Sequence, residues 1–391
     1  MARAVSSDDT WDLVVVGAGP AGSVTALSAL RAAPHLRVLL LDRADFPRDK
    51  CCGDGIAPHV GDVLREVGAE SVTAGWRPVE VLRLSRGDHA VSGTMQRSVW
   101  VIPREVFDAR LVAHAVAAGA VLRRQRVREV VVEDGAATLD GEIRARVVVG
   151  ADGAESVVRS ALGPARAPRR ALALRGYAPT LPQGTGRQLI RYGERRQPSY
   201  AWAFDRGDGW SNVGYGELVD HDGAQRPTRA LLLDQLELLL PGYVEGGTAW
   251  RGHHLPLSSW RWDQPDGRVL LAGDAAGLVN PMTGEGIFYA TLTGLLAGRA
   301  AASAIADGSP AAAGAAYRSA VRRRLSRHLR HTWTASQLTR RPRVVHAGIS
   351  AATHDPAAFD GLVELGLGDG RITARLGLAL GRSLLTHPGN R

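Results

Sequence analysis

The sequence predicts an α/β protein: a Rossmann-type domain, interrupted by an inserted antiparallel β-rich lobe and followed by C-terminal helices. Three observations carry this. First, the apolar run Leu13 to Val16 enters a glycine turn, and an Ala/Leu-rich helical pattern from Pro20 to Ala33 leads to a second apolar run, Arg37 to Leu41. That is a β-α-β unit with a buried parallel sheet. Second, two later apolar runs also end in glycine-rich turns, at Gly150 and Gly273. Third, between those turns, from Ala171 to Leu257, aromatic residues and polar alternation replace continuous apolar runs, as in antiparallel strands.

The remaining elements follow in order. Gly53 to Pro58 reads as loop, with a helix to Val67, and Val79 to Ile102 as two strands of a different sheet. Pro103 opens a helix at its favoured first position. Val127 to Val132 and Arg144 to Val149 read as strands around the turn at Asp134-Gly135, and Thr228 to Leu240 as a helix within the lobe. Val269 to Ala272 returns to the Rossmann pattern, a helix spans Ile287 to Ile305, and the chain beyond Pro310 is helical. The implied organisation assigns 9–78, 103–165 and 265–308 to the nucleotide-binding domain, 79–102 and 166–264 to the substrate lobe, and 309–391 to a helical region.

At 391 residues, with 45% hydrophobic and 22% charged residues, the composition is that of an ordinary globular protein. No apolar run reaches the roughly 18 residues of a membrane span, and Met1 to Trp11 has no apolar signal core. Cys51 and Cys52 are the only cysteines and are adjacent, which excludes a disulfide framework and makes the cytoplasm the expected location. The formal charge of +9 comes from nine arginines between Arg318 and Arg343, a stretch without an acid; elsewhere the charges balance. A nucleic-acid partner is not implied. The stretch is either a solvated basic face or a docking surface for phosphate groups, an anionic membrane or an acidic carrier protein, which leaves peripheral membrane contact open. His253-His254 has no companion cluster, so no metal site is expected.

The first chemical motif is Gly17-Ala18-Gly19-Pro20-Ala21-Gly22. Gly17 permits the tight turn, Gly19 lets backbone approach a pyrophosphate, and Gly22 permits helix–strand packing, while the helix start at Pro20 and Ala21 offers a positive dipole end. Asp42, with Arg43 after it, ends the second strand 20 residues beyond Gly22, where a carboxylate can take the ribose hydroxyls. This motif alone leaves FAD and NAD open. Asp152-Gly153 at one strand end, and Gly273-Asp274 with Pro281 and Gly284-Glu285-Gly286-Ile287 at another, decide for FAD. Asp274 can bond a ribityl chain, and the run into Ile287 brings amides at a helix N-terminus toward the pyrimidine edge of a flavin.

Three further stretches stand out: Lys50-Cys51-Cys52-Gly53-Asp54-Gly55, Tyr200-Ala201-Trp202-Ala203-Phe204, and Arg104 with Phe107, Asp108 and Leu111. They are similar to the KxCGxG loop, the YxWxF strand and the RxxFDxxL helix of the geranylgeranyl reductase family, which the chain resembles from about Trp11 to Ala306, within the wider flavoprotein fold of aromatic hydroxylases and flavin-dependent halogenases. Gln197 and Asp205 stand where that strand carries prolines, and Gly277 where aromatic hydroxylases carry histidine. The resemblance implies that Arg104, Cys52 and Gly53 contact the FAD. It places the Cys52 thiol beside the flavin as an acid or as a shaper of the pocket; packing alone is the other reading. Tyr200 and Trp202 share one strand face and line the cavity or the sheet core.

The implied activity is reduction of a carbon–carbon double bond in a prenyl or natural-product chain, the substrate being a small molecule or lipid, phosphorylated or carrier-bound in some cases. NADPH, NADH or another reductant would serve as a transient donor. The alternatives are an FAD-dependent monooxygenase and, third, a non-redox cyclase or binding protein that retains FAD. A halogenase would need a lysine well after the second strand, and Lys50, the sole lysine, lies in the wrong loop.

Overall fold

The computed structural model describes residues 10–133, 135–163, 169–219 and 227–386. Asp134 and the expected domain boundary at 165–166 lie outside the described residues, as do residues 1–9 and with them most of the N-terminal stretch read above.

Along the chain run β1 (Trp11–Val16), α1 (Pro20–Ala32), β2 (Val38–Asp42), β3 (Gly55–Ile56), α2 (Pro58–Val67), β4 (Val79–Arg86) and β5 (His89–Val101). Next come α3 (Arg104–Ala117), β6 (Val121–Arg124), β7 (Val130–Glu133), β8 (Ala136–Leu139), β9 (Ile143–Gly150) and α4 (Val157–Ala161). They are followed by β10 (Arg169–Pro179), β11 (Arg187–Tyr192), β12 (Tyr200–Asp205), β13 (Trp210–Val219), α5 (Arg229–Leu239) and β14 (Thr248–Leu257). The chain ends with β15 (Val269–Leu271), α6 (Ile287–Ala306), α7 (Ala313–Leu338), α8 (Pro342–His354), α9 (Pro356–Leu367) and α10 (Ala374–Thr386).

Two sheets form. The first has the order β6-β2-β1-β9-β8-β7, with β15 pairing the last residues of β9. Its centre is parallel, and alternate residues serve opposite cores: Leu13, Val15 and Leu40 face α1 and α6, whereas Val14, Val16 and Leu41 face the other side. Burial on both faces is why these strands are apolar throughout. The second sheet, β14-β10-β13-β12-β11-β4-β5-β3, is antiparallel except at one pairing. β4 and β11 run parallel, because a long connection rather than a hairpin joins them. The expected loop at Gly53 to Pro58 contains β3, whose two residues pair with Trp100 and Val101. The short strand β6 had no clear sequence signal, since its side chains are all exposed.

Helix α1 is buried from Pro20 to Leu30, so it carries no polar stripe and its packing against α6 is backbone to backbone. A Cβ on Gly294 would sit 2.3 Å from the Ala21 carbonyl oxygen, and one on Gly298 would sit 2.4 Å from that of Thr25. Beyond α6, helices α8 and α9 cover the second sheet: Val345, Ile349 and Phe359 pack on Leu82, Leu84 and Val99. No described helix is long and apolar enough to cross a membrane.

The α1–α6 contact predicts a contrast. Gly298→Val should cost about 3 kcal/mol or more, since the new side chain overpacks against backbone that cannot yield. Gly377→Ala, on exposed α10 with nothing within 4 Å of the built Cβ, should be neutral or stabilise by about 0.5–1 kcal/mol. Chemical denaturation of the two variants checks both signs.

Candidate functional site

The carboxyl ends of β1, β9 and β15 meet, and only glycine allows them to. Gly17 has φ of 98°, and a Cβ there would lie 2.3 Å from the Ala151 carbonyl oxygen. A Cβ on Gly22 would lie 1.8 Å from the Gly17 carbonyl oxygen. Gly19 is different: its built Cβ meets nothing nearer than the Arg48 and Arg104 guanidinium groups, at 3.6 and 3.7 Å, and points into open cavity. It also caps α1 without any side-chain bond, leaving the helix start to a ligand. Asp42 accepts the Ala18 N–H at 2.9 Å and the Ala44 N–H at 3.0 Å, which fixes its carboxylate at the cavity wall.

Arginines surround this cradle. Arg104 is buried and forms a two-pronged pair with Asp108, at 2.6 and 2.7 Å. Arg48 reaches the same carboxylate at 3.1 Å and lies 3.7 Å from Asp42. Arg48 carried no expected role; its sequence position, in a loop six residues after Asp42, gives no sign that it folds back onto the glycine turn. Asp152 spends its carboxylate on its own loop, accepting from Ser156 Oγ and the Val157 N–H at 2.5 and 2.7 Å.

The turn from Pro281 to Gly286 is held from both sides. Asn280 donates to the Leu365 carbonyl at 3.0 Å, Thr283 donates to that of Gly366 at 2.8 Å, and the Tyr200 hydroxyl donates to the Thr283 carbonyl. Glu285 caps α6, accepting the Phe288 N–H at 2.8 Å. Burial nevertheless pushes its carboxyl up to about 7. Asp274 lies 3.5 Å from the Lys50 amine.

The loop before β3 is anchored on the second sheet. Arg175 donates to Asp49 at 2.5 Å and to the Lys50 carbonyl at 2.9 Å. Asn212 donates to the Cys52 carbonyl and to Asp54, each at 2.8 Å, and its own oxygen accepts the Trp202 indole N–H at 2.8 Å. Asp54 also accepts the Tyr177 hydroxyl at 2.6 Å, and burial raises its carboxyl to about 6. Cys52, Gly53 and Trp202 are thereby brought together, with the Tyr200 and Trp202 rings 6.0 Å apart. Burial raises the Cys52 thiol above its ordinary range, and neighbouring Arg104 only partly offsets this. Neighbouring Cys51 donates to the Arg251 carbonyl at 3.0 Å.

One cavity of about 1050 Å³ joins these parts. It is lined by Gly17, Gly19, Pro20, Ala21, Asp42, Arg43, Cys52, Gly53, Arg104, Asp152 and Gly153, and by Asp274, Pro281 and the run Gly284 to Ile287. Tyr200 and Trp202 line it too. Gly22 and Gly273 do not: they serve close packing behind the wall. Past Tyr200 the lining becomes apolar, with Leu82, Leu84 and Val99 facing Val345, Ile349 and Leu376. His253 also lines the cavity, its imidazole pushed down to about 4 by burial and by Lys50. Among the described residues His59, Glu364 and Asp369 also come together, but Arg324 pairs with Asp369 at 2.5 Å and the group ties α2 to the end of α9.

A Rossmann fold with this cradle, followed by two further strand-end loops on the same cavity, defines an FAD-binding flavoprotein. Residues 10–181 match the FAD binding domain family. The chain is 32% identical to a menaquinone reductase of Mycolicibacterium smegmatis over 73% of its own length and 75% of that protein's. It is 34% identical to digeranylgeranylglycerophospholipid reductase 1 of Methanopyrus kandleri, over 76% and 82%. A geranylgeranyl bacteriochlorophyll reductase-like protein of Thermoplasma acidophilum superimposes with a TM-score of 0.78 at 20% identity, covering 96% of each chain. The chain belongs to the geranylgeranyl reductase family of FAD-dependent oxidoreductases. The residues present fit the cofactor: the uncapped helix start and the open space over Gly19 suit a diphosphate, and Asp42 retains acceptor capacity for a ribose.

Gly19→Val should therefore fold with the circular dichroism and melting temperature of the flavin-stripped parent yet purify without flavin. Full flavin content in the folded variant would show that the diphosphate lies elsewhere.

Proposed function

We propose that this chain is an FAD-dependent reductase that saturates a carbon–carbon double bond in a prenyl or related apolar chain. The supporting observation is the continuity of the cavity, from the diphosphate cradle past Cys52, Tyr200, Trp202 and Glu285 into an apolar chamber under α8–α10. The relatives named for reduction of menaquinone and of a digeranylgeranyl lipid agree with such a chamber. FAD, when bound, supplies hydride transfer, with NADPH or NADH as the proposed source of its two electrons.

The residues supply position, dryness and a proton. In this reading Gly19, Asp42, Arg48, Arg104 and the turn from Gly284 to Ile287 hold the cofactor, with Arg43, Asp152, Gly153 and Asp274 along its length. Leu82, Val99, Val345 and Ile349 hold the chain and exclude water, which lets one alkene face rest against the site. Hydride addition to one carbon requires a proton at the other. The Tyr200 hydroxyl is committed to the Thr283 carbonyl. Cys52 keeps its proton firmly, because burial disfavours the thiolate. Glu285, raised to about 7, is poised to release a proton near neutral pH and is the better matched acid.

Two outcomes test this. With NADPH and without oxygen, the loaded enzyme should convert a prenyl substrate to its dihydro product; product that forms only with oxygen and carries an oxygen atom would make it a monooxygenase. The Glu285 carboxyl lies above the ordinary carboxylate range, so its acid form is complete below that range and declines as pH rises through about 7. The substrate-dependent step should fall about tenfold per pH unit above that point, and Glu285→Gln should be slow and flat with pH. Cys52→Ala should then cost less than the roughly 10²–10⁴-fold of a direct acid. A loss of that size in Cys52→Ala, with Glu285→Gln near the parent, would move the proton to the thiol.

A further inference from the structure

We propose that the far mouth of the cavity is a docking surface for an anionic lipid bilayer, formed by the α7–α8 turn and the outer side of α10. Its purpose, delivery of an apolar chain, rests on the preceding reading; its observations do not.

The nine arginines of the basic stretch separate into two sets. Arg318, Arg322 and Arg324 pair with Asp266, Asp263 and Asp369, at 2.7, 2.9 and 2.5 Å, and so fasten α7 to the body of the protein. Arg323 donates to Ser319 at 2.6 Å. Arg327, Arg330, Arg340, Arg341 and Arg343 are exposed and have no ion pair among the described residues. Arg323, Arg327 and Arg330, spaced four and three apart, form one stripe along α7 that leads to the turn holding the other three.

That turn is also where the cavity reaches the surface. Leu338 is 44% exposed and yet lines the cavity, as do Thr339 after it and Val344 across the turn. The second helix at the mouth is α10. Leu376 packs with Ala351 in one cluster, and a Cβ on Gly348 would lie 3.9 Å from Leu380. Four residues on along α10 thus match three back along α8, an antiparallel register that carries Leu384 toward Val344 and the arginines at 341 and 343. The outer stripe of α10 carries Leu378 and Leu385, 64% and 82% exposed, while Arg375 at its start is tied to Asp355 at 2.8 Å.

Leucines held in water at the same mouth as Arg340, Arg341 and Arg343, which are exposed and without an ion pair among the described residues, match an interface whose phosphates face those arginines and whose acyl region takes the leucines. The leucines project from a turn and a single helix rather than lining a groove, which suits a fluid apolar phase better than a shaped protein partner.

The test is sedimentation of the flavin-loaded full chain with vesicles of phosphatidylcholine alone or mixed with phosphatidylglycerol, at low and high salt. Binding is expected only to the anionic vesicles and should weaken with salt. The triple change Arg340→Glu, Arg341→Glu and Arg343→Glu should weaken it by about 100-fold or more, taking roughly fivefold for each basic residue at an anionic surface. Leu378→Asn with Leu385→Asn should also weaken it, with the charge unchanged. Reversal of Arg123, Arg128 and Arg144, on the first sheet and its margin, should leave it as it was. Equal binding to both vesicle types, no binding at low salt, or a triple variant that binds like the parent would overturn the proposal. So would capture by an acidic carrier protein without vesicle affinity. Turnover of a detergent-dispersed substrate by a protein that ignores vesicles would overturn docking and leave the reductase reading standing.

Discussion

Everything at this site depends on three strand ends being closer together than side chains permit. The Gly17 backbone touches the Ala151 carbonyl, Gly22 backs onto Gly17, and α1 presses on α6 through Gly294 and Gly298. Each contact forbids a Cβ, and together they bring the loops after β1, β9 and β15 to one wall of one cavity. The cradle over Gly19 is the remainder: a place where the backbone is equally bare but faces space instead of protein. A glycine pressed against backbone holds the frame, and a glycine facing the cavity leaves room for a ligand.

The second constraint is the anchoring of the Cys52 loop. It is fixed by Arg175 from β10 and by Asn212 from β13, which bridges Cys52, Asp54 and Trp202. The polar groups are buried, so their hydrogen bonds hold position in a region where water cannot substitute. The same burial sets the electrostatics. Two carboxyls, Asp54 and Glu285, rise toward neutrality although Arg104 stands near both, and over Gly19 that arginine and Arg48 share the Asp108 carboxylate. The cavity thus presents two guanidinium groups beside the open space over Gly19, and apolar side chains from Leu82, Leu84, Val99, Val345 and Ile349 in its chamber.

The division between what the sequence disclosed and what it concealed follows chain distance. Gly17, Asp42 and the turns at Asp152 and Pro281–Gly286 were legible because each motif sits within a few residues of the strand or helix that gives it meaning. Tyr200 and Trp202 were legible as one strand face by alternation alone. Asn212 and Arg48 were not: their partners lie far along the chain or across a loop that folds back, and no spacing encodes that. The parallel pairing of β4 with β11 escaped for the same reason, since side-chain alternation is identical in parallel and antiparallel strands. The C-terminal helices read as helices, but their role as roof of the apolar chamber needed Val345 and Ile349 to be seen against Leu82 and Val99. Nor could charge counting separate the arginines that fasten α7 from those that face outward.

The central claim is that cofactor cradle and apolar chamber are one space. It is tested most directly by titrating the oxidised, flavin-loaded protein with a geranylgeranyl-bearing lipid while recording the visible flavin bands. A saturable spectral shift is expected, abolished by Ile349→Trp, whose indole fills the chamber, with flavin content unchanged. No shift, or one that Ile349→Trp leaves intact, would contradict the account.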